Sequence, residues 1–390
     1  MLDLKWTVAH SFSEVENDWR DLEKRALITP FQQFDWHKTV TLSANTERAF
    51  VVVRDKSNVQ AIFPLMIRKS FGVRVLQWHG DDWTDYFLPV IEKNLFRTLA
   101  PNDVDAIWKR LRSLTGDPSA TLLYRQPAQV SGAPNPFAQW SAHSEGMPAF
   151  ALNLGTDWET FYTAMHSGGT RRGLKEKRRR LDGEGNIEFV RFTEPQALRE
   201  NLHRIFKWKS DQLDARGANN PFVDPQERDL IVSRMLAGGE VWHLYGIQRD
   251  GHTIALNLTL AGPVSWLLYQ MAHEEGPHTK HSPGRLLLNH VLEQATIAGT
   301  PLFDFSRGEV GVKKEICDVE LDLIRTIKAH SPAGVPFAAF EAAKLHAKRT
   351  IKQSPKLLDL AFQANRARKK LFTKSSEAFG VTTETSTKAL

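Results

Sequence analysis

Cysteine is nearly missing: Cys317 is the single one in 390 residues, so no intrachain disulfide forms and no zinc site can be built from thiolates. Long apolar runs are missing too, with none approaching the roughly eighteen residues a membrane-spanning helix needs. The opening stretch MLDLKWTVAHSFSEVENDW has no basic region leading into an apolar core, so a secretion signal is not expected and the cytoplasm is the simplest location. Metal-ligand spacing is scarce. His278 and His281 lie three apart in a turn without a further well-placed ligand, so no metal is expected. Acidic residues are few in one region: residues 331–390 hold eleven Lys/Arg against four Asp/Glu, whereas the first 330 residues carry 40 against 41. The net charge of +6 therefore belongs to the tail. Aromatic interleaving is absent from the basic run Arg171 to Arg180, which argues against a single-strand nucleic-acid groove.

With 41% hydrophobic and 25% charged residues, the composition is that of an ordinary globular protein of two or three domains. Strand signals come in two similar sets. Val241 to Gln248 and Thr253 to Leu260 alternate around Asp250-Gly251, a hairpin turn, and Val264 to Met271 follows after Ala-Gly-Pro. A helix from Pro283 to about Ala298 places Leu288, Val291, Leu292 and Ala295 on one face, Gly299 ends it, and Leu302 to Phe305 resumes as strand. The first half gives the same order: Phe50 to Arg54, Gln60 to Arg68 and Arg74 to Trp78 as strands, a helix near Asp103 to Leu114, and a strand near Ala120 to Arg125. A helix between two such strands makes them parallel neighbours and opens its N-terminus beside the end of the sheet, where ligands bind.

In the second set that N-terminus is Ser282-Pro283-Gly284-Arg285. Ser282 suits the N-cap, Pro283 the first helical position, Gly284 close backbone approach, and Arg285 adds a fixed positive charge, so the turn reads either as an ordinary capped helix or as an anion site. Its counterpart before the first helix, Asp81 to Pro89, is acidic and aromatic, so only the second set is expected to hold a phosphate ligand. Asp304 lies between Phe303 and Phe305 on a strand that turns it away from both rings, which makes it either a base or the partner of Arg307 or Lys313. Glu309, in the loop after that strand, and His273, after the meander strand, are further candidates for proton transfer. Tyr269 either shapes an acceptor pocket or packs in a core. Five tryptophans, Trp78, Trp83, Trp140, Trp208 and Trp266, offer stacking surfaces for sugar rings or fill cores. The tail from Phe337 to Lys374 reads as basic amphipathic helix, either solvated or facing an anionic membrane surface or acidic partner, and the final SSEAFGVTTETSTKAL as frayed.

Four pieces taken together, the arginine-rich His166 to Leu181, the Asp250-Gly251 hairpin, the Ser282-Pro283-Gly284 turn and the closing Phe303-Asp304-Phe305-Ser306-Arg307-Gly308-Glu309 with Lys313, resemble the GNAT-like acyltransferases of the CelD/BcsL type, distant relatives of the FemAB peptidyltransferases. The likeness spans about residues 45 to 320, with one departure: Val312 stands where the family usually has an aromatic residue before the closing lysine. It implies an α/β fold of two tandem GNAT-like mixed-sheet repeats, residues 1–150 without a phosphate loop and 151–330 binding acyl-CoA, followed by a basic helical extension over 331–390. It implies direct acetyl transfer from acetyl-CoA to an amine or hydroxyl of a small-molecule or saccharide acceptor, in the setting of cellulose or other polysaccharide synthesis. Ser282, Gly284, Arg285, Arg171 and Arg172 would hold the donor, amides near Gln270 to Ala272 its carbonyl, and Tyr269, Arg307 and Lys313 the acceptor. A tRNA-dependent aminoacyltransferase of the FemAB kind and a non-catalytic polysaccharide-system accessory protein are the alternatives.

Overall fold

The computed structural model describes residues 4–364 except 40–45, 81, 141, 219, 239–240, 263, 309–310, 355 and 358. The first half runs β1 (Lys5–Ala9), α1 (Glu16–Glu23), α2 (Phe34–Thr39), β2 (Thr46–Asp55), β3 (Asn58–Ser70), β4 (Val73–Trp78), β5 (Val90–Ile91), α3 (Lys93–Thr98), α4 (Pro101–Leu114), β6 (Ala120–Pro127), the short pair β7 (Gln129–Val130) and β8 (Ala133–Pro134), and β9 (Ala142–Ser144). The second continues with β10 (Ala149–Asn153), α5 (Trp158–Met165), α6 (Gly168–Asp182), β11 (Ile187–Phe192), α7 (Pro195–Arg216), α8 (Pro225–Ala237), β12 (Trp242–Arg249), β13 (His252–Ala261), β14 (Trp266–His273), α9 (Pro283–Ile297), β15 (Leu302–Arg307), α10 (Gly311–Ile316), β16 (Val319–Leu321), β17 (Leu323–Ala329) and α11 (Val335–Gln353).

The two halves build two sheets of one topology, β1-β2-β3-β4-β6-β17-β9 and β11-β12-β13-β14-β15-β10-β16. Both meanders and both crossover helices fall where the hydrophobic periodicity puts them, and β4–β6 and β14–β15 are the expected parallel pairs. Asp250 and Gly251 both take positive φ, 51° and 79°, the geometry a two-residue hairpin requires. The sheets exchange strands. β10, at the junction of the halves, completes the second sheet beside β15, while β17 returns from beyond it to complete the first beside β6. The second sheet thus falls within 151–330 apart from the start of β10, and Leu323–Ala329 crosses back.

Each sheet is covered on both faces, so its central strands read as apolar runs rather than strict alternation. Val51, Val53, Ala61, Phe63, Leu65 and Ile67 pack under α4, while Phe50, Val52 and Ile62 pack on the other side against Trp19, Leu22 and Phe34 of α1 and α2. In the second sheet Ile247, Ala255 and Phe303 meet Leu287, Val291 and Leu292 of α9, and the reverse face meets α7 and α8. That second core also takes in Phe31, Trp36, Trp83 and Tyr86 from the first half. Burying four such rings contributes on the order of 6–12 kcal/mol, enough to hold the halves as one body.

The basic extension is not simply a solvated appendage: α11 seats Phe337 and Leu345 on Val75, Ala120, Leu122 and Ile327 of the first sheet. Beneath it Arg325 pairs with Glu145 at 2.8 Å and lies 3.9 Å from Glu341, all three side chains buried. The stretch SSEAFGVTTETSTKAL lies outside the described residues.

Candidate functional site

The parallel ladder between β14 and β15 holds only Trp266↔Phe303 and Leu267↔Asp304, after which β14 runs on to His273 while β15 bends toward β10. The bend is a β-bulge. Ala149 faces Arg307 and Ala151 faces Asp304, leaving an extra residue in β15, and Ser306 sits there with φ 57°, a left-handed conformation costly for a non-glycine residue. A second irregularity, opposite Leu258/Thr259, lies in β14 at Tyr269. The sheet therefore splits at the level of Asp304, and α9 begins at the far end of β14.

Ser282 begins α9 in a left-handed conformation, φ 54°, and makes no side-chain cap. Its hydroxyl instead accepts from Lys177 Nζ at 2.8 Å, which ties α6 to the helix start. The Arg285 amide donates to the Ser282 carbonyl at 2.9 Å, so of Arg285 only the side chain is left for an anion. A Cβ placed on Gly284 would come no nearer than 3.8 Å to His273 and 3.9 Å to Met271, ordinary contacts, so space remains over the first turn. Three cations surround that turn. Arg171, whose Nη1 donates to Thr163 Oγ1 at 3.2 Å, keeps a buried Nε without a partner, and its charge and that of Arg285 both bear on Tyr162 and His166. Neither Arg171, Lys177 nor Arg285 has a carboxylate within ion-pair distance among the described residues. Burial lowers the Arg285 pKa against the opposing pull of Glu315 and Tyr162. Cations gathered at a helix N-terminus favour a bound anion. The end of the basic run is engaged locally, Arg178 with Asp182 and Arg179 and Arg180 with Glu176, while Lys175 is exposed. Arg172 is exposed.

Asp304 faces away from Phe303 and Phe305, as strand alternation requires, and meets the first half of the chain. Tyr86 Oη donates to its Oδ1 at 2.8 Å and the Ser306 amide donates at 2.6 Å. Burial pushes its pKa up to about 7, against the opposing pull of these two donors and of the Lys313 charge. Neither expected ion pair forms. Arg307 donates to Asp85 at 2.5 Å, and Lys313 Nζ donates to the carbonyls of Ser306 and Arg307 at 3.2 and 3.0 Å. Burial would raise Asp85, but Arg307 and Arg125 outweigh it and hold that carboxyl below its usual range. Two neighbouring carboxyls are thus pushed apart, Asp85 fixed as the anion and Asp304 poised to gain or lose a proton near neutrality.

The fold brings Asp304, Arg307 and Lys313 together and leaves His273 elsewhere: six residues of strand separate it from the level of Asp304, about 20 Å. His273 stands by Gly284, its Nδ1 on the Glu274 carbonyl at 3.1 Å. Tyr269 donates to the Trp83 carbonyl at 3.1 Å and its ring packs edge-on to Phe31 and Trp36, in the core joining the halves. Glu309 lies outside the described residues. Trp78, Trp83, Trp140 and Trp266 are buried and serve packing rather than stacking on ligand. His281 contacts Glu184 at 2.7 Å and His278 the Glu274 carbonyl at 3.0 Å. Burial raises the Cys317 thiol to about 12, an unreactive state. Lys177, Asp85, Tyr86 and Ser306 carry no sequence signal of their own. The acidic, aromatic Asp81 to Pro89 stretch was the one visible pointer, and it supplies the tyrosine beside the closing segment that Val312 does not.

Residues 168–314, within the second half, match the family model described as an acetyltransferase (GNAT) domain. Functionally curated proteins give no match. Among solved structures the chain is similar to FemX, at 9% identity over 81% of this chain and 96% of that one with a TM-score of 0.56. It is also similar to the C-terminal domain of a putative lysylphosphatidylglycerol synthetase from Agrobacterium fabrum, at 12% identity over 84% and 96% of the two chains with a TM-score of 0.50. A conserved protein of unknown function from Bacteroides thetaiotaomicron matches at 10% identity over 84% and 100%, TM-score 0.51. These likenesses show the fold, a mixed α/β GNAT-like one.

Proposed function

We propose that this chain transfers an acetyl group from acetyl-CoA directly to an amine or hydroxyl acceptor that enters between the two halves. The observation that carries the reading is the split between β14 and β15, which has Asp304 at its base and the cation-ringed start of α9 at its mouth. Arg171, Lys177 and Arg285 suit a pyrophosphate in number and position, and the uncrowded Gly284 leaves it room. Amides of β14 beyond Leu267 are placed to hold the thioester carbonyl oxygen, which gains negative charge during attack. Asp304, ionised in part at neutral pH, takes the proton that the acceptor loses, while Tyr86 and the Ser306 amide fix its orientation. A thiolate leaves readily, so no covalent enzyme intermediate and no strong general acid is needed.

Arg307 and Asp85 form the wall that an acceptor meets. A saccharide acceptor, and with it a place in polysaccharide synthesis, rests on the family resemblance alone. Titration with acetyl-CoA, followed by incubation with labelled acetyl-CoA and fractionated extract, tests the reading: heat on titration and label in one acceptor are expected. The aminoacyltransferase alternative needs cations free for tRNA, and Arg178, Arg179 and Arg180 are engaged with acids of their own helix. Retention of tRNA lost steeply with salt, without heat from acetyl-CoA, would favour it instead.

A further inference from the structure

Eight large apolar side chains are exposed among the described residues, and five of them, Phe71, Val335, Phe340, Leu357 and Leu360, belong to α11, its helical continuation, or the hairpin tip beside it. Phe71 is 74% exposed at the turn between β3 and β4 and has φ 49°, where a turn ordinarily carries Gly or Asn. Its ring lies 5.2 Å from Phe340, itself 50% exposed. Phe71 also lies 6.5 Å from Phe337, yet these contacts leave both rings largely open to solvent: α11 is anchored through Phe337 and Leu345, and its outward face adds Val335, Ala339, Ala343 and Ala347 to Phe340. Cations border this face. Arg68 and Lys69 are exposed next to the hairpin tip, Lys344 Nζ lies 6.0 Å from the centre of the Phe340 ring, and Lys348 and Lys356 are exposed along α11 and its continuation.

We infer that this face docks on an anionic lipid surface, Phe71 and Phe340 entering the interfacial layer while the bordering lysines and arginines meet acidic headgroups. A protruding aromatic tip on a broad cationic surface suits a deformable lipid layer better than it suits the groove of a folded partner. Self-association through the same face would set two basic segments against each other. No described helix is long and apolar enough to cross a membrane, so the contact is peripheral.

The test is co-sedimentation of the full chain with vesicles of phosphatidylcholine, alone or mixed with phosphatidylglycerol, alongside sedimentation velocity without lipid. Binding to the mixed vesicles is expected to exceed that to the neutral ones by about ten-fold or more and to fall with added salt. Phe71→Ser with Phe340→Ser is expected to weaken it by roughly ten-fold or more. Lys69→Glu with Lys356→Glu is expected to do so to a similar degree, about ten-fold, at unchanged Tm. Equal binding to both vesicles, or binding indifferent to both pairs of substitutions, overturns the inference. So does retention by polyglutamate without vesicle binding, which assigns the face to an acidic protein, or a dimer that the Phe71→Ser, Phe340→Ser variant dissolves.

Discussion

Helices α4 and α9 occupy the same step of the two halves, each returning the chain from a meander to a parallel strand, yet their first turns are chemically opposite. In α4, Asp103 reaches back to accept from the Ala100 amide at 2.9 Å, so an acid of the helix itself occupies the positive end. In α9 no acid stands in the first turn, and Arg285, Lys177 and Arg171 gather there instead. Topology supplies a helix N-terminus at each split of the sheet, and side-chain chemistry decides which one is open to an anion. The acidic stretch of the first half acts across the interface, where Asp85 and Tyr86 reach the second split and set its carboxyl.

The sharpest way to break this comparison is Asp304→Asn. Turnover is expected to fall by about 10²–10⁴ with acetyl-CoA affinity retained. Activity of the unaltered protein should rise with pH through about 7 as Asp304 ionises, and the variant should lose that step. The sign for stability is the reverse. A carboxyl whose folded pKa is raised keeps its proton more tightly in the folded state, so its stabilising contribution is present at low pH and lost as pH climbs to about 7. Melting curves of the Asn variant should therefore improve relative to the parent at pH above 7 and not near pH 4. Arg325→Met comes next, removing the buried partner of Glu145 beneath α11 while Glu341 keeps Lys344, and costing about 3–5 kcal/mol in denaturant titration. Acetyl-CoA affinity, set in the other sheet, should survive under native conditions. Arg285→Ala should weaken acetyl-CoA binding by about ten-fold or more in calorimetry, for the loss of charge-assisted contacts worth roughly 1.5–3 kcal/mol, without a matching drop in Tm. The smallest effect sharpens the contrast: Asp103→Ala should lower stability by about 1 kcal/mol and leave acetyl-CoA binding unchanged.

Much of the second half is legible in the sequence because its signals are local. The Asp250-Gly251 turn, the face of α9 and the parallel pairing implied by a crossover helix all follow from patterns within a few residues. Asp304 stands out as an isolated carboxyl between two rings, and Arg285 as a charge at a helix start. Their partners do not: Arg307 turned to Asp85, and Asp304 to Tyr86, because those contacts span more than 200 residues. The β1-α1-α2 opening and its counterpart β11-α7-α8 are equally hidden, since their apolar faces become meaningful only against the sheets they cover.

By itself the sequence determined the meander strands, the crossover helices with the strands that follow them, and the charge at the head of α9, since backbone periodicity and capping act over one or two turns of chain. Tertiary structure alone decided that β10 and β17 trade sheets and that the acidic loop of the first half poises a carboxyl of the second. The reason is that strand pairing and desolvation depend on which surfaces meet, and no short stretch of residues records its neighbour.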